Sequence, residues 1–84
     1  MSFRLVGVDL LARWYEAEPD AERQATMNEW LADLLDEPWS RSHDAVPGPN
    51  ELLRVAIVPG TGWAVEFLIN DGARQVELKS FLGL

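Results

Sequence analysis

The chain has 84 residues, with Asp+Glu 14 against Lys+Arg 7, a formal net charge of -7 and no cysteine. That is one domain, residues 1–84, whose surface as a whole repels phosphate backbones. Disulfides, thiolate-bound zinc, iron–sulfur clusters and thiol nucleophiles are excluded, while 48% hydrophobic and 25% charged residues make a globular balance.

Ser2–Val8 alternates Phe3 and Leu5 with Arg4 and Val6, the pattern of a short strand. Asp9 then reads as a helix N-cap. Leu10, Leu11, Trp14 and Tyr15 form one apolar stripe on the helix that follows. Pro19 ends that helix and opens a second, from Pro19 or Asp20 to Asp36. Met27, Trp30, Leu31, Leu34 and Leu35 supply its helical period, and Glu37-Pro38 closes it.

Residues 38–50 hold Pro38, Pro47, Gly48 and Pro49 and read as a loop, long for so small a domain. Three strands follow. Leu52–Val58 is apolar except for Arg54, and Pro59–Gly62 turns the chain. Trp63–Ile69 places Trp63, Val65, Phe67 and Ile69 on one face with Glu66 on the other. Asn70-Asp71-Gly72 is a hairpin turn in which residues that tolerate positive φ are expected to carry the reversal. Ala73–Phe81 sets Val76 and Leu78 against Glu77 and Lys79.

The order is β-α-α-β-β-β. It predicts an α+β domain, one antiparallel sheet packed against a helical hairpin. Ten of the 14 acids and four of the seven bases fall in residues 1–44, a balance of -6, against -1 in residues 45–84. The acidity belongs to the helical half. Met1–Asp9 is unlike a signal peptide, and the uncharged run Val55–Val65 falls far short of the ~20 residues a spanning helix needs. The expectation is a cytoplasmic protein with no membrane contact.

Several motifs resemble the RelE/ParE toxin superfamily of bacterial toxin–antitoxin pairs. Leu34-Leu35-Asp36-Glu37-Pro38 is similar to the Leu-rich, acid-then-proline end of that family's second helix. Leu53-Arg54-Val55, the turn Pro59–Gly62, Trp63-Ala64-Val65 and Asn70-Asp71-Gly72 resemble its central strands and turns. The resemblance covers nearly the whole chain. It implies a toxin fold and an antitoxin-like protein partner or self-association. Nucleic acid is expected only by way of a ribosome.

The RNA-cleaving members of that family grip phosphate with arginines and lysines and move a proton with a late His or Tyr. Arg54 matches one family arginine. Ala64 stands where a second is common, Lys79 is the only lysine, and Ser80–Leu84 holds no His, Tyr or Arg. These departures point to a protein that binds and does not cleave. The weak catalytic candidates are Arg54, His43 and Arg41, which form a small anion site if the loop folds over the sheet. An active mRNA-cleaving ribonuclease would draw on Arg41, Arg54, Arg74 and Lys79.

Arg54 equally fits a strand arginine paired across the sheet with Glu66 or Glu77. No metal and no cofactor are expected, because His43 has only Asp44 beside it as a loop donor. A third reading is an acidic inhibitor that mimics nucleic acid through Glu22, Glu29, Asp33 and Asp36. Trp14, Trp30 and Trp63 read as core. Trp39, in the proline loop, is the leading partner contact or else a lid on the sheet end. Phe81, Leu82 and Leu84 form an apolar tail that docks on the helices, on a second copy or on a partner.

Overall fold

The apolar stripes of the two helices need a common surface to cover, and the sheet supplies it. The computed structural model describes residues 2–40, 43–44 (backbone only) and 53–84. In chain order the elements are β1 (Arg4–Val6), α1 (Val8–Ala17), α2 (Ala21–Asp36), β2 (His43–Asp44), β3 (Leu53–Val58), β4 (Trp63–Asn70) and β5 (Gln75–Gly83). They form a five-stranded sheet in the order β1-β5-β4-β3-β2. No helix among the described residues is long and apolar enough to cross a membrane.

The sheet is mixed, where a wholly antiparallel one was expected: β1 runs parallel to β5, and the other pairings are antiparallel. The reason lies in where α2 ends. The Phe3 N–H donates to the Leu35 carbonyl at 2.6 Å, so α2 returns the chain to the end of the sheet where β1 began. Strand β3 therefore starts at that same end. Two hairpin reversals later β5 arrives beside β1 pointing the same way. The short β2, inside the predicted loop, adds an outer strand opposite Arg54 and Val55. The rest of the 38–50 segment beyond Ser40 lies outside the described residues.

Local chemistry sets the element ends. Asp20 caps α2, its carboxylate accepting from the Glu22 and Arg23 amides at 2.9 and 3.4 Å. Helix α1 begins differently from the prediction. Its N-cap is Gly7, with φ 90, and Asp9 sits within the first turn without capping it. The chain must pass so close to β5 here that a Cβ on Gly7 would lie 3.2 Å from the Leu78 carbonyl oxygen. Only glycine meets both demands cheaply. In the β4–β5 turn the positive φ falls on Arg74, at 55, and not on Asn70, Asp71 or Gly72. The Asn70 side chain instead accepts from the Ala73 amide at 3.0 Å.

One core lies between helices and sheet. Met27, Leu31 and Leu34 of α2 and Trp14 of α1 meet Ala56, Val58, Val65, Phe67, Ile69, Val76 and Leu78. Trp30 and Trp63 are partly buried against it. The C-terminal strand joins this core through a bulge. Glu66 pairs with Ser80 and Phe67 with Leu78, so β5 holds one extra residue at Lys79. Beyond it the alternation changes phase, and Phe81, opposite Val65, shares the core face with Val76 and Leu78. Its ring stacks on Trp14 with centroids 5.6 Å apart at 23°. Leu84 is 74% exposed.

These placements separate the terminal residues energetically. Phe81→Ala is expected to cost about 2 kcal/mol, less than the full burial value because the ring is only half-buried. Leu84→Ala should stay within about 0.5 kcal/mol. Urea unfolding of both variants checks this. Equal, small losses would mean that β5 does not hold Phe81 against α1.

Candidate functional site

The candidates named from sequence are divided by the structure between the two ends of the sheet. At the end where β1 and β3 begin, the chain leaves α2 through Glu37, buried Pro38 and a turn in which the Ser40 hydroxyl donates to the Glu37 carbonyl at 3.1 Å. This turn lays Trp39 over the sheet edge. The indole N–H donates to both carboxylate oxygens of Asp71, at 3.0 and 3.2 Å. The Arg54 guanidinium lies 4.9 Å from the centre of the Trp39 ring and also donates to the Trp39 carbonyl at 3.3 Å. Trp39 is still 41% exposed. It is thus both a lid on the sheet end and an accessible aromatic surface.

The pairing of Arg54 differs from the one weighed in the sequence. Its cross-strand neighbour is Phe67, so it stands on the helix side of the sheet. Glu66, one residue away, belongs to the other face, where it accepts from Ser80 at 2.6 Å. Arg74 lies at the same end of the sheet, its guanidinium 4.4 Å from the centre of the Phe3 ring. Asp36, Glu37 and Asp71 line the same hollow of about 370 Å³ as Arg74 and Trp39. Two arginines therefore converge on this end, but on aromatic faces and among carboxylates.

The remaining candidates do not join them in the described structure. Arg41 lies outside the described residues. His43 is described only by its backbone, in β2 opposite Val55. Lys79 is far along β5, its ammonium 2.8 Å from Glu77. Among the described residues no group of three or more His, Asp or Glu side chains is placed to hold a metal ion. Leu82 turns away from Phe81 onto the uncovered face, in register with Ala64 and Ile57; Leu82 is 42% and Ile57 64% exposed.

The opposite end of the sheet holds what the sequence did not reveal. Glu18, between the helices, is 6% exposed. Its carboxylate accepts from the Trp63 indole at 3.1 Å, from Arg23 at 3.2 Å and from the Asp20 amide at 3.2 Å. The indole bond first, with the Asp20 amide and Arg23, holds its pKa below the ordinary 4.5 against the opposing effect of burial. Beside it Trp14 meets Trp63 edge to face, centroids 6.0 Å apart. With Phe81 these rings form the floor of an open groove of about 380 Å³ between α1 and β5, flanked by Arg13 and Lys79. Glu18 and Trp63 are 45 residues apart, and no local pattern links them.

Against known structures this arrangement has a clear counterpart: the fold is that of the RelE-type toxins. A double arginine-to-alanine variant of the E. coli toxin RelE, in the free state, superposes with a TM-score of 0.69 over 99% of this chain and 84% of that one, at 14% identity. No protein-family profile matches the sequence, and no curated protein matches it. The shared property is the fold.

Glu18 gives this region a pH signature. A depressed folded pKa adds stability that is complete above the unfolded value, near 4.5, and disappears as pH falls through the folded one. Glu18→Gln should lower the urea midpoint at pH 7 and lose that disadvantage toward pH 3. A penalty equal at both pH values would assign the role of Glu18 to packing and not to its charge.

Proposed function

We propose that this is a RelE-like protein of a toxin–antitoxin type system that acts by binding protein and does not cleave RNA. The observation that carries the reading is the state of the basic residues where a RelE-like nuclease would need them. Phosphoryl transfer requires cations aimed at developing negative charge, in a site that does not already satisfy them. Here Arg54 is seated on Trp39 beside Asp71, and Lys79 is paired with Glu77. Asp36, Glu37 and Asp71 add negative charge around Arg74. A polyanion entering this end of the sheet meets carboxylates as readily as guanidinium groups.

What the fold offers instead is surface for a protein chain. Trp39 presents an aromatic face held rigid by Asp71 and Arg54. Leu82 and Ile57 present an apolar strip on the uncovered sheet face. Large aromatics fixed in place are the usual anchors of interfaces. The partner is an antitoxin-like chain or a second copy, and the place of action is the cytoplasm.

Expression without any partner separates binding from cleavage. The expected result is no growth arrest that depends on Arg54 and no cut mRNA in primer-extension maps. Arrest with mapped cleavage, abolished by Arg54→Ala, would overturn the proposal in favour of a ribonuclease toxin. In the binding arm, Trp39→Ala should weaken capture of a small protein encoded beside this chain by at least about tenfold, the scale of an interface hot spot.

A further inference from the structure

The outer face of the sheet is built like a covered one. An antiparallel sheet with one face in water turns apolar residues inward and polar residues outward. Strand β3 does not follow that pattern. Ala56 and Val58 point into the core, yet the outward positions hold Leu53, Val55 and Ile57. Leu68 stands outward beside Leu53 on β4, and Leu82 outward beside Ala64 on β5. Ile57 is 64% and Leu82 42% exposed, while Ala64 between them is 3% exposed. A strand apolar on both sides is what burial on both sides selects. Both helices pack on the other face, and no described element lies over this one.

The net charge of the molecule is also absent from this face. Residues 8–37, which hold both helices, carry nine acids and two bases, a balance of -7. The rest of the chain is neutral. On the outer face Arg4 and Glu66 balance, and Lys79 is paired with Glu77 at 2.8 Å. A basic partner is drawn to the helical side, where the negative charge is. A second copy is repelled from that side and meets no net repulsion at the outer face. Sheet-to-sheet packing also places the two acidic helical layers outermost, further apart than the Debye length of ~10 Å at 0.1 M salt.

We infer that the outer sheet face is a self-association surface, covered by the same face of a second copy related by a two-fold axis. A two-fold interface must be self-complementary. An apolar patch with equal numbers of acids and bases meets that condition. The inference rests on the binding reading above only in taking protein as what covers the sheet. Strands at about 3.3 Å per residue and 4.8 Å apart give a flat footprint of about 450 Å² per copy, more once side-chain relief is counted. The buried total is then about 1,000 Å², at the lower limit for a specific interface. Glu66, whose carboxylate accepts from Ser80 at 2.6 Å, adds a charge to desolvate. Both terms make the dimer weak, with a dissociation constant of about 10–100 µM.

The test uses the whole chain. Sedimentation velocity from about 5 µM to about 1 mM should show the mass doubling across that dissociation constant. The two isoleucines serve as internal probes. Ile57 lies on the outer face, and Ile69 is a core residue, 3% exposed. With 13C-labelled isoleucine methyls, the Ile57 signal should shift over the same concentrations while Ile69 stays fixed. Ile57→Lys changes a two-fold interface twice over and should weaken association by at least about 30-fold. The far-UV spectrum and the Ile69 signal should be retained. Val8→Lys, at a position 62% exposed but on α1, should leave association unchanged. Raising NaCl from about 0.1 to about 0.5 M should not weaken the dimer, because the contact is apolar.

A chain still monomeric at about 1 mM, association indifferent to Ile57→Lys, or an equal loss in Val8→Lys would each overturn the inference. So would weakening by salt, which marks an ionic contact. A soluble paramagnetic probe tests for other covers. In dilute, monomeric protein it should broaden the Ile57 methyl strongly and Ile69 little. An Ile57 methyl as protected as that of Ile69 assigns the cover to the chain's own residues and overturns the second copy. Capture of a small protein encoded beside this chain separates this inference from the binding reading. If Ile57→Lys abolishes capture and the unsubstituted chain is monomeric, the face belongs to that partner: the second copy is overturned and the binding reading stands. Loss of the dimer with capture intact supports the second copy at this face.

Discussion

Lys79 has no counterpart on β4: the register pairs Ser80 with Glu66 and Leu78 with Phe67. Without the bulge, strict period two would send Phe81 to the uncovered face and bring Leu82 inward. With it, Phe81 stacks on Trp14, Leu82 faces out beside Ala64, and Lys79 stands at the rim of the α1–β5 groove. The covering of α1, the aromatic floor and the outer apolar strip all depend on this one shift of phase.

Period-two reasoning reaches the strand but not the bulge, which explains what could and could not be read from the residues. Met27, Leu31 and Leu34 repeat at helical spacing, and all three are core. Trp63 to Ile69 alternates as the sheet requires. Asp20 caps α2 because its carboxylate is followed by free amides with no competing geometry. Asp9 looked equally suited, but the approach of the backbone to Leu78 gave the cap to Gly7. That constraint is tertiary and leaves no trace in the neighbouring residues. The same holds for Arg74, whose positive φ is imposed by the turn's closure onto Asp71 at 3.2 Å.

The candidate site was legible in its members and not in their partners. Arg54 and Trp39 stood out by residue type, yet their contact spans 15 residues, and Trp39 to Asp71 spans 32. The β1–β5 pairing follows from α2 ending at Phe3, again a contact across the chain. Sequence patterns report which face a residue serves. They carry little about which element lies opposite, because that is settled by chain reversals that local periodicity does not count.

The charge distribution links the two ends of the molecule. Most of the net negative charge lies in residues 1–44, the helical half. One carboxylate of that half, Glu18, is drawn inside and bound by the Trp63 indole and Arg23, where it fixes the helical hairpin to the start of β4. A carboxylate held this way is costly to bury and strongly penalised if one donor is lost. At the opposite end Asp71 fixes Trp39, and Trp39 in turn carries Arg54. Each end thus uses one acid to orient one indole. In the first case the oriented indole walls an open groove; in the second its ring face carries the Arg54 guanidinium.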